Sequence, residues 1–483
     1  MKFSNKNTYL LSLLAVISGF TSAGELENKI EKPEDNNEIV ILGNYYKKTG
    51  KNNKHLHITA KDNSSDNINI DSEIIPIPIP SPDIEPSPVD PDPVLPEPTI
   101  DVVKENDVVT QKKYVYGDVL NYDISHDIST LDSLSLWISD INTNVTNEKN
   151  LTSNYTSSNN SNFIAEVDEK ANFINNGNIS GKNTGGVYVH NESTFENNGV
   201  ISNEGSHGVK ASGSNTKAIN EVSGVISNTG NFGTAAEDGA YVENNGSISN
   251  KGNIGTYATG NSTAINNGSI SNTGDYGMKA ENDSYIENSS TGTISNNGDY
   301  GMSIDSASNG KNDGVVSNDG DFGISTQANF TNNGIVQNNG DFGIEADGNI
   351  NIENNGIVKN TGNKGIIAEN GALITNNGTI ANDKEVGIYS NGTNTKVKNS
   401  GTGAISNNSN YGIYAENGSN VENEGSISNN GDFGIYTSGN DTKAINKGNI
   451  SNIGRYGMKA ENDSYIENSS TGIISNNGDY GMS

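Results

Sequence analysis

The sequence predicts an all-β chain whose body is a right-handed parallel β-helix of about 14 coils of 20–25 residues, preceded by a signal peptide and a Pro-rich linker. Three observations predict it. Gly followed two residues later by Ile or Val recurs fourteen times, from Gly177 to Gly472, and a second Gly stands nine residues after every one of these anchors. Between the glycines lie short apolar alternations separated by Asn, Gly, Asp and Ser clusters, which is the pattern of strands and turns. Only 31% of the 483 residues are hydrophobic, too few for several compact cores, yet they recur at a fixed period. A unit with so few apolar side chains cannot bury them alone, whereas stacking one unit on the next gives them a shared interior.

Residues 1–23 read as a signal peptide. Lys2 and Lys6 precede an apolar run over residues 9–20, and Thr21, Ser22 and Ala23 supply the small residues at which cleavage after Ala23 is expected. That run is shorter than the ~20 residues needed to cross a bilayer. Residues 24–75 read as a polar, weakly ordered stalk, interrupted by the apolar run from Ile39 to Leu42; His55 and His57 in it lack a third metal ligand nearby. Ten of the eleven prolines fall within residues 76–98, a polyproline spacer. Residues 99–170 carry strand-like alternations without a clear period and are expected to form a β-rich N-terminal cap over the open end of the stack, with Trp137, the single Trp, in its core.

Residues 171–483 are the repeats. In the unit from Gly268 to Asn288, Ile270 opens a first strand, Tyr276, Met278 and Ala280 alternate along a second, and Ile286 marks a third. These side chains are expected to point inward and stack on Ile294, Tyr300 and Met302, then on Val316, Phe322 and Ile324, then on Val336, Phe342 and Ile344. Four residues after the anchor, thirteen of fourteen coils have Asn, among them Asn203, Asn250, Asn272, Asn318, Asn360, Asn429 and Asn476. This column is expected to form a structural amide ladder at a corner that needs a left-handed backbone. At a rise of ~4.8 Å per coil, fourteen coils make a rod roughly 65 Å long.

Charge and composition exclude several functions. A net charge of −30 repels phosphate backbones, so no nucleic-acid partner is expected. The absence of Cys removes disulfides, thiolate metal sites and thiol nucleophiles. A catalytic site needs unique residues at one place, but nearly every polar residue copies a repeat position, and His55, His57, His126, His190 and His207 stand in unrelated contexts. No enzyme activity, cofactor or metal is expected. Asp275, Asp299, Asp321, Asp341, Asp432 and Asp479 form a column seven residues after their anchors; Asn replaces Asp in other coils, which favours a solvated turn over stacked calcium sites.

The export signal, the long run of degenerate Asn-Gly-x-Ile-Ser-Asn coils, the lack of Cys and the acidic balance resemble the passenger of a Gram-negative autotransporter of the large adhesin-like kind. The resemblance covers residues 177–483 and, separately, the signal. It implies surface display and adhesion to a host-cell or neighbouring-cell surface protein or glycan, and attachment to the outer membrane through a C-terminal β-barrel that is missing from this sequence. Residues 276–303 and 456–483 are identical except for Thr293 against Ile473, as expected of a duplicated block. Ser483 falls inside a coil, so the chain is expected to be a truncated form of a longer protein. A passive spacer stalk is the alternative expectation, and a β-helix polysaccharide lyase or hydrolase the third.

Overall fold

The computed structural model describes residues 39–42, 58–59, 113–116, 121–156 and 162–483. The expected cleavage at Ala23, the Pro-rich spacer, His55 and His57 lie outside these residues. Among the described residues there are strands and turns and no helix.

The strands stack as a parallel β-solenoid with three faces. The first sheet is built from strands such as Ser269–Asn272, the second from strands such as Tyr276–Glu281, and the third from strands such as Tyr285–Asn288. The first and third sheets hold 16 strands each and the second 19. Each strand pairs in parallel with its counterpart one turn earlier and one turn later, as Ile270 pairs with Ile248 and Ile294. Sixteen turns result, two more than the Gly anchors mark. The additional turns lie within the expected cap: Tyr122–Ile124, Ile128–Thr130 and Leu136–Ile138 form one, and Asn144–Asn147, Asn150–Ser153 and Phe163–Val167 form the next. They continue the ladders in register, Asn150 pairing with Asn178 and Val145 with Phe173. At one inter-strand spacing per turn, the stack is about 75 Å long.

On the second sheet, Lys113–Tyr116 pairs with Leu136–Ile138, and the apolar run Ile39–Leu42 pairs in parallel with Lys113–Tyr116 and antiparallel with Ile58–Thr59.

The core is a set of side-chain columns along the axis. Ile270, Ile294, Val316 and Val336 stack from the first sheet, and Met278, Met302, Ile324 and Ile344 from the second, all fully buried. Burial of each such side chain stabilises the stack by about 1.5–3 kcal/mol, and no coil holds this gain without its neighbours. Volume is balanced between columns. Ile304 takes the place that Ala280 holds one turn earlier, while Gly310 takes that of Ile286. A Cβ on Gly310 would lie 2.5 Å from the Ile304 Cδ1, so the glycine makes room for the larger neighbour.

Two expected positions are corrected. Tyr276, Tyr300, Phe322 and Phe342 stand outside the core, because the strand alternation slips at the glycine that follows each. Gly277 and Met278 are both buried, and a Cβ on Gly277 would meet the Gly301 carbonyl and the Ile294 methyl at 2.5 Å. With Gly277 facing inward, Tyr276 is set on the outer face beside Lys279, whose Nζ lies 4.5 Å from the ring centroid. Trp137 is likewise outward. It stands half-buried between buried Leu136 and Ile138, with its ring 5.6 Å edge-on from Tyr114.

Candidate interaction surface

The expected amide column is present, at strand ends rather than at a left-handed corner. Asn250, Asn272, Asn318, Asn360, Asn429 and Asn476 end strands of the first sheet, and none has a positive φ. Positive φ belongs chiefly to the turn between the second and third sheets, as at Asn282 (55°) and Asp283 (63°); at the corner between the first and second sheets only Asn183 (56°) has it among the described non-Gly residues. From Asn228 to Asn476 each Nδ2 donates to the Oδ1 of the next coil, as from Asn250 to Asn272 at 3.0 Å and from Asn429 to Asn452 at 2.9 Å. Asn203 falls outside this chain of bonds. Its Nδ2 donates to the Thr184 and His207 carbonyls, and its Oδ1 is left without a donor.

A second amide ladder, not anticipated from the sequence, ends the strands of the third sheet. It runs from Asn147 through Asn175, Asn288 and Asn376 to Asn468, with Nδ2 to Oδ1 distances of 2.7–2.9 Å at each of these steps. Both ladders are buried up to the last coil, where Asn468 and Asn476 are half-exposed, and so are bonds of structure, unavailable to a ligand. The Asp column, by contrast, is exposed at Asp275, Asp299, Asp321 and Asp479 and half-exposed at Asp341 and Asp432. Among the described residues no three His, Asp or Glu side chains converge as a metal ion requires.

The outer face of the second sheet carries the side chains that a partner can reach. Eight residues after the anchor runs an aromatic column. Tyr276, Tyr300, Phe322 and Phe342 stack with centroids 4.9–5.1 Å apart, and Tyr411, Phe433, Tyr456 and Tyr480 with centroids 5.1–5.4 Å apart. Such pairs contribute about 0.5–1.5 kcal/mol each beyond the area they bury.

Three residues further along each strand, the outward position varies: Lys279, Ser303, Ser325, Glu345, Ile367. Over three successive coils it is Tyr389, Tyr414 and Tyr436. Beside Tyr411 and Phe433 these make an array of five rings, with Tyr389 edge-on to Tyr414 at 5.4 Å and Tyr414 edge-on to Tyr436 at 5.1 Å. Carboxylates frame it. Tyr389 and Tyr414 both donate to Glu416, the latter at 2.6 Å, and Tyr436 donates to Glu461 at 2.5 Å. Burial, and then the Glu461 carboxylate, push the Tyr436 hydroxyl up to about 12, and burial with Glu416 raises Tyr389 and Tyr414 in the same direction. The phenols therefore stay protonated as donors.

At the other end of the same sheet, His190 and His207 stand on adjacent strands, a juxtaposition that the sequence did not suggest. His190 stacks on Tyr188 at 4.4 Å and lies between two carboxylates, with Nε2 at 2.8 Å from Glu166 and Nδ1 at 3.3 Å from Asp168. Burial lowers its pKa, but the Glu166 hydrogen bond and the Asp168, Glu166 and Glu169 charges outweigh this and raise it. Glu169 beneath is raised by burial and by Asp140. His207 is the opposite case. It is packed between Phe163 and Phe232, and burial together with Lys210 lowers it to about 3. Its Nε2 is 3.8 Å from Glu237, which Lys210 already holds at 2.7 Å, so the ring is neutral.

Compared with known protein families, curated proteins and solved structures, the chain matches none.

Proposed function

We propose that this chain is the passenger of an autotransporter-type protein, exported and displayed at the cell surface, which acts in adhesion to a host or neighbouring cell. The observation that supports the reading is the outer face of the second sheet: repeated along sixteen turns, and broken by one array, around Tyr414, that departs from the repeat. A buried framework that regular needs only Asn, Gly and aliphatic side chains. A cluster of tyrosines on the solvent side adds nothing the ladders require, and Tyr is enriched where proteins bind partners. Repetition along the rod lets many weak contacts add, so that avidity replaces a single tight site.

The second reading is a passive spacer, favoured by the two unbroken amide ladders, which make a rigid rod without a ligand. Titration of fluorescently labelled chain onto intact epithelial and bacterial cells separates the two. Saturable binding that unlabelled chain displaces supports adhesion. Signal that rises linearly with concentration on every cell type sinks adhesion and leaves the spacer.

A further inference from the structure

Within the second sheet, ring, lysine and carboxylate recur as one set. Tyr276, Lys279 and Glu281 stand on the outer side of one strand; Lys279 lies 4.5 Å from the Tyr276 ring centroid and 2.7 Å from Glu281. Tyr456, Lys459 and Glu461 repeat the arrangement, with Lys459 4.8 Å from the Tyr456 ring and paired with Glu461. In both, a cation sits over an aromatic face and against a carboxylate, a contact that gains from both neighbours.

In the strand Tyr411–Glu416 the ring and the carboxylate are kept, as Tyr411 and Glu416, but the lysine between them is replaced by Tyr414. Neither flanking strand, Val386–Asn391 or Phe433–Ser438, contains Lys or Arg. Lysines of the adjoining strands reach only the edges of the array, Lys364 lying 4.9 Å from the Tyr389 ring and Lys459 5.7 Å from buried Phe433, so half-buried Tyr414 and Tyr436 and the carboxylate of Glu416 are left without a cation against them. The surrounding field is negative on balance: Glu385, Asp432 and Glu461 near Tyr411 outweigh Lys459, and the net charge is −30.

We infer that the tyrosine array over these three coils is a docking surface for a partner polypeptide bearing Lys or Arg, whose cationic side chains supply from outside the charge that Lys279 and Lys459 supply in their own strands. This deepens the adhesion reading by naming the chemistry of the partner, and it rests on that reading for its biological setting. Arg suits the surface best: its planar guanidinium stacks on a tyrosine face while donating to a carboxylate such as Glu416.

The test uses the whole chain and a fluorescein-labelled oligoarginine peptide, followed by anisotropy at low and at physiological salt. The comparison is a variant carrying Tyr389→Ser, Tyr414→Ser and Tyr436→Ser, which leaves the net charge unchanged and installs the residue found in that column at Ser303 and Ser325. A second variant, Tyr414→Lys, supplies the missing cation from within. Affinity is expected to fall by about tenfold or more in each, as for loss of central aromatic anchors, with the circular dichroism spectrum retained. Equal binding by wild type and the triple serine variant would mean attraction to charge alone and would overturn the inference. So would tyrosine-dependent binding of a neutral oligosaccharide in place of the peptide, which would make the array a glycan platform. Saturable cell binding that the triple variant retains sinks this inference and leaves adhesion standing. Tyrosine-dependent peptide binding by a chain that binds no cells sinks adhesion and leaves the docking surface.

Discussion

Asn272 donates to the Asn296 Oδ1 at 2.9 Å and, through the same amide nitrogen, to the Tyr276 carbonyl at 2.9 Å, so one side chain ties a coil to the next and closes the corner of its own coil. It also accepts from Asn250 at 3.0 Å. The Asn272 amide nitrogen also reaches the Asn253 carbonyl at 3.3 Å, so Asn272→Ala removes four bonds inside the stack and leaves the Asn250 amide and the Asn296 oxygen short of partners. The expected cost is about 2–4 kcal/mol. Asn203→Ala, at a position with no amide partner in the next coil, is expected to cost about 1–2 kcal/mol. Urea denaturation compares the two, and hydrogen exchange localises the effect: protection is lost first in strands adjoining residue 272, since solenoid stability is carried by nearest neighbours. Equal midpoints for the two variants would show that the ladder bonds add nothing to the corner bonds.

Gly277 holds the aromatic column on the outside. A Cβ there would press on the Gly301 carbonyl and the Ile294 methyl at 2.5 Å, and Gly301 stands in the same relation to Gly323 one turn on. Gly277→Ala is expected to cost more than about 3 kcal/mol, by separating two coils or turning the strand so that Tyr276 loses its stack. Gly401, whose Cβ would meet nothing within 4 Å, is the matched control. Gly401→Ala is expected to change stability by less than about 0.5 kcal/mol. Thermal melts of the two variants decide the point.

These residues also show what the sequence carries and what it hides. The period, the three strands and the amide column after each anchor are legible because each keeps a constant or nearly constant distance from the repeating glycines. The second amide ladder is nearly as regular, Asn266 and Asn288 each standing 20 residues after Gly246 and Gly268, but Asn332 stands 18 after Gly314 and Asn399 21 after Gly378, in the part of the coil whose length varies, and so it escapes notice. The two earliest turns are hidden for a related reason, since Lys149 stands one residue before Asn150 where Gly177 stands before Asn178. Tyr276 is read as core because a simple alternation is assumed to run through Gly277. The tyrosine array is invisible in sequence, as Tyr389, Tyr414 and Tyr436 occupy a variable outward position and meet only when the coils stack.

His190 supports the early coils through its two carboxylates. Its folded pKa is raised above the unfolded value, so the stabilisation is complete below about pH 6.5 and is lost as pH rises through the folded value. His190→Gln keeps a donor but cannot become a cation, and is expected to cost about 1–2 kcal/mol at pH 5.5 and less at pH 9. Measuring the melting temperature of both proteins across this range gives the difference. A gap that does not narrow with rising pH would remove the charged imidazole from the account.

His207 works in the opposite direction. Burial between Phe163 and Phe232 keeps its ring neutral, with a folded pKa of about 3, and both ring nitrogens lack a hydrogen-bond partner. Between that value and the unfolded value of about 6.5, the unfolded chain binds a proton that the folded chain does not, so stability falls as pH drops through this window. His207→Phe, which restores the ring type found at Phe232, removes both the unsatisfied nitrogens and this proton uptake. The variant is expected to be more stable than wild type by about 1 kcal/mol at pH 7, with the advantage growing towards pH 4. Urea midpoints at pH 7, 5.5 and 4 test the sign. An advantage that shrinks on acidification would mean that the imidazole is protonated in the fold, paired with Glu237 rather than excluded from water.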